Sequence, residues 1–213
     1  MSLSETIEVQ PLNYASSDPD VRLMLRVRDD DALAFEELVV RYQARLITLL
    51  RSLIQDRDKA EELAQDVFLR VYRARASYVP TAKFSTWLFT IAHNVANNAL
   101  RSLARRREVN LAADGSDALT AKPLDNMATA PSGLMPTRQV AKAELGEVVR
   151  AAVDSLNERQ RMALLLAKFE HMSYAEIGET MDLSVQAVKS LLSRARENLR
   201  ILLEPYMQED LPL

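Results

Sequence analysis

The chain has 213 residues, of which 48% are hydrophobic, and its formal net charge is -3. This length allows one large domain or two small ones. The nearly balanced charge excludes a globally basic nucleic-acid binder, so any nucleic-acid surface must be a local patch. The sequence has no cysteine, which excludes disulfides, thiolate metal sites and cysteine nucleophiles and is typical of a reducing compartment such as the cytoplasm.

Residues 1–19 are mostly polar and include Pro11 and Pro19, and we expect them to form a flexible N-terminal tail. The segment has neither the basic region nor the apolar core of a signal peptide. Nowhere in the sequence are there enough consecutive apolar residues to cross a bilayer. We therefore expect neither secretion nor membrane insertion.

Apolar residues recur at three-and-four spacing along most of the chain, and there are only four glycines. This pattern predicts an all-α fold without a sheet. It divides into a first helical block, residues 20–107, and a second, residues 138–207, followed by a short tail, residues 208–213. Residues 108–137 are rich in proline, glycine, small residues and acids, which predicts a flexible linker. We expect two small helical domains with few contacts between them.

Aspartates mark the starts of two helices in the first block. The run at residues 29–31 precedes ALAFEELVVRYQARLITLLRSLI, and Asp56 or Asp58 precedes a second amphipathic stretch that continues to Ala76. A third helix, KFSTWLFTIAHNVANNALRSLARRR, is expected to begin within residues 81–85. The block is therefore predicted to be a bundle of three or four helices.

The second block contains the signature of a helix-turn-helix motif. Ser173 is placed to cap a short helix, Met181 to Leu183 form a tight turn, and Ser184 is placed to cap the next helix. One face of that last helix is apolar. The opposite face carries side chains that can reach base edges or phosphates, Gln186, Lys189, Ser190, Ser193 and Arg194. The alternative is an ordinary solvated face, which the preceding cap and turn make less favourable.

The third helix of the first block and the loop before it combine aromatic, amide and cationic side chains. This combination suits single-stranded nucleic acid, where stacking on an aromatic ring contributes about 1 to 3 kcal/mol per base. The candidate residues are Tyr78, Lys83, Phe84, Thr86, Trp87, Asn94, Asn97 and Arg101. Core packing is the alternative for Phe84 and Trp87. We expect no metal or catalytic role for His93, since the other histidine lies in the second block.

The second helix of the first block places an apolar side chain among polar ones, which is typical of the centre of a protein interface. The residues of this candidate interface are Glu62, Gln65, Asp66 and Leu69. The alternative is that Leu69 is one of the isolated exposed leucines that are common on protein surfaces. The sequence contains no phosphate-binding glycine loop, nucleophile elbow or histidine-rich metal spacing. We expect neither an enzyme nor a cofactor.

Three segments together resemble the extracytoplasmic-function sigma factors of the sigma-70 family. They are DRDKAEELAQDVFLRVYRA, then FSTWLFTIAHNVANNALR, then LNERQRMALLLAKFEHMSYAEIGETMDLSVQAVKSLLSRARENLR. The resemblance implies a sigma-two domain, a linker that threads RNA polymerase, and a sigma-four domain. It implies core RNA polymerase and promoter DNA as partners, with an anti-sigma factor as a further possible partner.

The resemblance also implies roles for the candidate residues. The polymerase contact falls on the face with Leu69, the minus-10 reader on residues 77–83 and the helix bearing Asn94, and the minus-35 reader on the helix after Ser184. Where relatives often have an arginine or an aromatic residue, this chain has Lys189 and Ser193. We expect this difference to change the minus-35 sequence, because lysine lacks the bidentate fork of arginine.

Two alternatives stay open from the residues alone. An all-helical repressor or activator would explain the helix-turn-helix, with the first block as a dimerisation or sensor domain, but it leaves Tyr78, Phe84 and Trp87 beside Asn94 unexplained. A polymerase-binding regulator that never touches DNA leaves the basic run of the third helix without a role.

Overall fold

The computed structural model describes residues 14–113 and 146–208. Within these ranges the chain is helical and has no strand. The helices are α1 (Tyr14–Ser17), α2 (Pro19–Arg28), α3 (Ala32–Ile54), α4 (Arg57–Ala74), α5 (Phe84–Ala113), α6 (residues 146–154), α7 (Glu158–Lys168), α8 (Tyr174–Met181) and α9 (Val185–Gln208). Residues 1–13 of the predicted tail, the predicted linker from residue 114 onward, the start of the second block and the last five residues lie outside the described ranges.

The helix starts in the first block follow local capping chemistry. The carboxylate of Asp31 accepts hydrogen bonds from the backbone amides of Leu33 and Ala34 at 3.0 and 3.1 Å, and Asp56 accepts one from Lys59 at 3.0 Å. These bonds satisfy amides that have no partner inside the helix. The predicted starts of α3 and α4 are therefore confirmed, with Asp56 rather than Asp58 as the cap.

The helices extend past two of the predicted boundaries. Helix α1 and the first residue of α2 lie in the segment expected to be a tail, and α5 continues to Ala113, beyond the predicted start of the linker at residue 108. The helical structure around Pro19 is explained by a contact with a distant segment of the chain. Asp18 caps α2 and also accepts a hydrogen bond from the amide of Phe84 at 3.0 Å, which joins the starts of α2 and α5.

The helix-turn-helix forms as predicted. Ser173 and Glu176 make a reciprocal capping box at the start of α8, and Ser184 caps α9 through the amide of Ala187 at 3.2 Å. Asp182 turns the chain with a left-handed φ of 54°. A side chain at Gly178 would place its Cβ 2.6 Å from the carbonyl oxygen of Leu183, so the turn requires glycine there.

The two blocks pack against each other in the described part of the chain. Helix α3 contacts α7, and α5 contacts α8. The buried guanidinium of Arg161 donates to carbonyl oxygens of its own block and, at 2.7 Å, to that of Ser52 in the first block. Buried apolar residues of both blocks form one cluster. The expectation of few contacts between the blocks is therefore wrong for this structure.

Candidate polymerase and nucleic-acid interfaces

The predicted duplex-reading face of α9 is open to solvent. Its apolar side buries Val188, Leu192 and Ala195 against the rest of the second block. The opposite side leaves every predicted reader exposed, namely Gln186, Lys189, Ser190, Ser193 and Arg194. The helical register therefore presents these side chains together, as base and phosphate contacts in a major groove require.

The predicted single-strand face on α5 is partly buried, unlike the face on α9. Phe84 is 0% exposed, and its ring packs edge-on against that of Tyr42 with centroids 5.3 Å apart. Thr86 and Tyr78 are also buried, and burial raises the pKa of Tyr78. In this conformation the side chains of Phe84, Thr86 and Tyr78 are therefore inaccessible to direct stacking or base contact. These side chains belong to the packing that positions α5.

The other members of the set remain wholly or partly accessible. Lys83, Asn94 and Arg101 are exposed, whereas Trp87 and Asn97 are half-buried. Trp87 lies against Tyr78, with ring centroids 4.8 Å apart, so the aromatic cluster holds this indole in place. The candidate strand-reading surface therefore narrows to these five side chains.

Helix α8 covers part of this surface. Lys83 forms an ion pair with Glu176 at 2.8 Å. The hydrogen bond to Glu176 raises the pKa of Lys83. Burial alone would raise the pKa of Glu176, but its hydrogen bonds to Lys83 and Ser173 lower it overall. Both groups are therefore charged near neutral pH.

A cavity of about 320 Å³ lies between α5 and the second block. Its polar lining includes His93, Asn97 and Arg101 from α5 and Arg159 from α7. Burial and the charge of Arg159 lower the pKa of His93, whose ring nitrogen is 3.0 Å from the amide nitrogen of Asn97. No group of three metal-ligating side chains occurs among the described residues.

The polar groups of α5 and α8 contribute little net stability. The hydroxyls of Thr86 and Thr180 are buried with no hydrogen-bond partner among the described residues. A buried polar group without a partner costs about 1 to 3 kcal/mol. The ion pair between Lys83 and Glu176 is partly exposed, and such pairs contribute about 0 to 1 kcal/mol. The ion pair alone therefore does little to hold α8 against α5.

An apolar groove lies on the outer side of the first block, between α3 and α4. It has a volume of about 650 Å³, and Gln65 and Leu69 lie along it. Leu69 is 52% exposed, so the predicted patch is accessible. Glu62 and Asp66 are held in place by ion pairs, with Lys59 at 2.7 Å and Arg70 at 3.0 Å respectively.

The sequence-based prediction missed the other wall of this groove. It is a stripe on α3 at four-residue spacing, made of Phe35, Val39, Gln43 and Ile47. These residues share a helix face. The spacing could have identified the stripe, but three of its members also fit a core face, so the sequence alone does not distinguish a groove wall from a core.

Two family models match the chain. Sigma-70 region 2 matches residues 38–106, and Sigma-70, region 4 matches residues 146–199. The chain belongs to the sigma-70 family. This sigma factor is 31% identical over 201 residues to the RNA polymerase sigma-H factor of Pseudomonas aeruginosa, covering 91% of this chain and 98% of that relative. It is 32% identical over 189 residues to the ECF RNA polymerase sigma-E factor of Escherichia coli K12, covering 89% and 96%.

The fold of this sigma factor also resembles two solved structures. CnrH in complex with the cytosolic domain of CnrY has a TM-score of 0.63 at 24% identity, covering 88% of this chain and 99% of that one. The sigma factor RpoE from Bartonella quintana, in complex with the anti-sigma factor NepR, has a TM-score of 0.57 at 24% identity, covering 80% and 96%. At this identity the likeness establishes the fold.

The sigma factor is therefore an extracytoplasmic-function member that binds core RNA polymerase and directs it to specific promoters for transcription initiation. It is not an enzyme, in agreement with the expectation from the sequence. Among the described helices, none is long and apolar enough to cross a membrane.

Proposed function

We propose that the sigma factor binds the polymerase through the groove between α3 and α4. An apolar groove with a charged rim matches the composition of protein interfaces, which have an apolar centre and a polar edge. Leu69 is the central contact, with Gln65 beside it and with Glu62 and Asp66 on the rim. The exposure of Leu69 in this groove is the single observation that carries the assignment of the polymerase contact.

The two DNA sites divide between the blocks. The exposed face of α9 reads a minus-35 duplex, with Arg194 as a candidate for bidentate recognition of guanine and Lys189 as a point charge for phosphate or base. The accessible side chains of α5 read an opened minus-10 strand, with Asn94 capturing a base and Trp87 as the stacking ring. Residues 20–107 are the sigma-two domain and residues 138–207 the sigma-four domain of this assignment, with residues 108–137 as the linker.

An anti-sigma factor is a further proposed partner. The two structurally similar proteins are described as complexes, one with the cytosolic domain of CnrY and one with the anti-sigma factor NepR. The cytoplasm is the proposed compartment, because core polymerase and promoter DNA are the partners of this family.

The polymerase assignment can be tested with Leu69→Glu in holoenzyme reconstituted from the full chain. A charge at the centre of the groove would have to be buried on binding, so the substitution should reduce association with core polymerase at least tenfold, which is about 1.4 kcal/mol. Val40→Glu is the matched control, because Val40 is exposed on α3 but does not line the groove. Undiminished association of Leu69→Glu would contradict the assignment. Run-off transcription on a genomic library with wild-type holoenzyme then identifies the promoters.

A further inference from the structure

The start of α5 is capped by a residue that is distant in the sequence. Helix α5 begins at Phe84, and the residue before it, Lys83, accepts a hydrogen bond through its carbonyl oxygen from the amide of Trp87 at 3.2 Å. A lysine side chain has no acceptor atom, so Lys83 cannot cap the helix. The carboxylate of Asp18 accepts from the amide of Phe84 instead, at 3.0 Å and across 66 positions of the sequence.

The same carboxylate fixes the start of α2. Its Oδ1 atom accepts from the backbone amide of Asp20 at 2.9 Å, and its Oδ2 atom is the one that accepts from Phe84. The first amides of a helix have no partner within the helix, and the helix dipole favours a negative charge beside them. One side chain, that of Asp18, therefore joins the starts of two helices in a fixed relation.

A second link from α2 holds the ring of Phe84. The carboxylate of Asp20 accepts a hydrogen bond from the hydroxyl of Tyr42 at 2.6 Å, and the Tyr42 ring packs edge-on against Phe84. The ring of Phe84 in turn lies beside that of Trp87, with centroids 6.0 Å apart. The proposed stacking ring, Trp87, is therefore supported by packing that begins in the first turn of α2.

The loop that precedes α5 is also influenced by Asp18. Burial, and next the charge of Asp18, raise the pKa of Tyr78, whose hydroxyl has no hydrogen-bond partner among the described residues. Tyr78 is the first residue of the segment that leads to Phe84. Asp18 therefore acts on both ends of this segment, which contains the proposed DNA contact Lys83.

We infer that Asp18 is a positioning residue for the proposed minus-10 reader, because its carboxylate holds residues 78–83 and the start of α5 in the arrangement that captures an opened strand. This inference rests on the proposed function of α5. Asp18 lies in the segment for which the sequence predicts a flexible tail, and it precedes residue 38, where the match to Sigma-70 region 2 begins. Residues ahead of that match thus take part in strand opening.

Loss of the carboxylate acts on opening through the fraction of molecules that can capture the strand. A loop that is not held samples other arrangements, and the apparent affinity for the strand falls in proportion to the fraction that remains competent. The expected loss is about tenfold, the order of one hydrogen bond to a charged group. Core polymerase and closed duplex are proposed to contact the groove at Leu69 and the face of α9, so their binding should not change.

Asp18→Ser tests the positioning role in holoenzyme reconstituted from the full chain, on a promoter selected by the wild-type holoenzyme. Serine caps a helix about as well as aspartate does, but its side chain is too short to reach Phe84. The variant should bind core polymerase and closed duplex normally, while permanganate reactivity of unpaired thymines falls about tenfold. Asp31→Ser is the matched control, because Asp31 caps α3 in the same way and its side chain pairs with Arg26 of α2.

The emission of Trp87, the only tryptophan in the sequence, reports the start of α5 without polymerase or DNA. Asp18→Ser should shift the emission of the free chain to longer wavelength, because the half-buried indole becomes more hydrated, and Asp31→Ser should not. Asp18→Asn preserves the volume but has one oxygen for two helix starts. It should shift the emission in the same direction and lower opening.

Normal opening by Asp18→Ser, beside defective opening by Asn94→Ala, would overturn the positioning role. Reduced opening with unchanged emission of Trp87 would also overturn it, since Asp18 would then act at another place. Normal opening by Asn94→Ala would instead reject the proposed function of α5. If the serine variant folds poorly, the same two measurements on Asp18→Asn decide the outcome.

Discussion

The two proposed DNA surfaces start from similar sequence patterns and end in different environments. On α9, a polar stripe opposite an apolar one is fully exposed. On α5, a comparable stripe includes the buried Thr86, and the cation that precedes the helix, Lys83, is paired with the other block. The comparison shows that a polar stripe indicates a surface that can bind, whereas tertiary packing determines whether the surface is free.

The largest expected effect tests whether Phe84 on α5 packs in the core rather than contacts DNA. Phe84→Ala should lower the free energy of unfolding by about 3 to 5 kcal/mol, because truncating a fully buried phenylalanine removes apolar burial and leaves a cavity. Urea denaturation of the free chain measures this loss. Phe169→Ala is the matched control, since Phe169 is 64% exposed and its truncation should change stability by no more than about 0.5 kcal/mol. Similar values for the two variants would place Phe84 outside the core.

The next prediction distinguishes the kinds of DNA that the two surfaces read. Arg194→Ala should weaken binding of holoenzyme to closed promoter duplex, with a loss of base discrimination of about 1 to 3 kcal/mol. Asn94→Ala should leave closed binding nearly intact and reduce permanganate reactivity. Both side chains are exposed, so neither substitution should alter folding. If both variants lost closed binding equally and melted DNA normally, the surfaces would not differ in kind.

A smaller effect tests the buried hydroxyl on α5. Thr86→Val should raise the free energy of unfolding of the free chain by about 1 kcal/mol, because it removes a buried donor without a partner while nearly preserving volume. Thr90→Val is a sharp control. The hydroxyl of Thr90 donates to the carbonyl of Thr86 at 2.8 Å, so the same change there should not stabilise the protein. Destabilisation by Thr86→Val in thermal and urea unfolding would show that its hydroxyl has a partner.

The smallest effect concerns the pH dependence of the ion pair between the blocks. The pKa of Glu176 is lowered from its ordinary 4.5 in the folded chain, so its stabilising contribution is present above pH 4.5 and is lost as the pH falls through the lowered value. The pKa of Lys83 is raised above 10.5, so its contribution is complete below pH 10.5 and is lost on passing the raised value.

Unfolding of wild type and Glu176→Gln at a series of pH values measures this contribution. The difference at pH 7 should be below about 1 kcal/mol, since the pair is partly exposed. It should vanish in acid as the carboxylate is protonated. A difference that grew as the pH fell from 7 to 3 would contradict the sign of the proposed interaction.

Local chemistry was predictable from the sequence, and contacts between distant segments were not. Asp31, Asp56 and Ser173 act on amides within three residues, so the starts of α3, α4 and α8 could be predicted from the text alone. The pairing of Lys83 with Glu176 depends on how the two blocks meet, for which periodicity carries no signal. The aromatic residues near α5 were ambiguous because the same rings can stack on a base or fill a core.

The distance between the blocks tests the central claim, that α8 packs against α5 in the free chain and leaves it when α5 reads an opened strand. Spin labels on Arg51→Cys and Glu179→Cys report it, because both positions are exposed on helices of different blocks and the sequence has no other cysteine. Double electron–electron resonance should give one short, narrow distance distribution for the free chain and a clearly longer one for holoenzyme on an opened promoter. The same distribution in both states would contradict the claim.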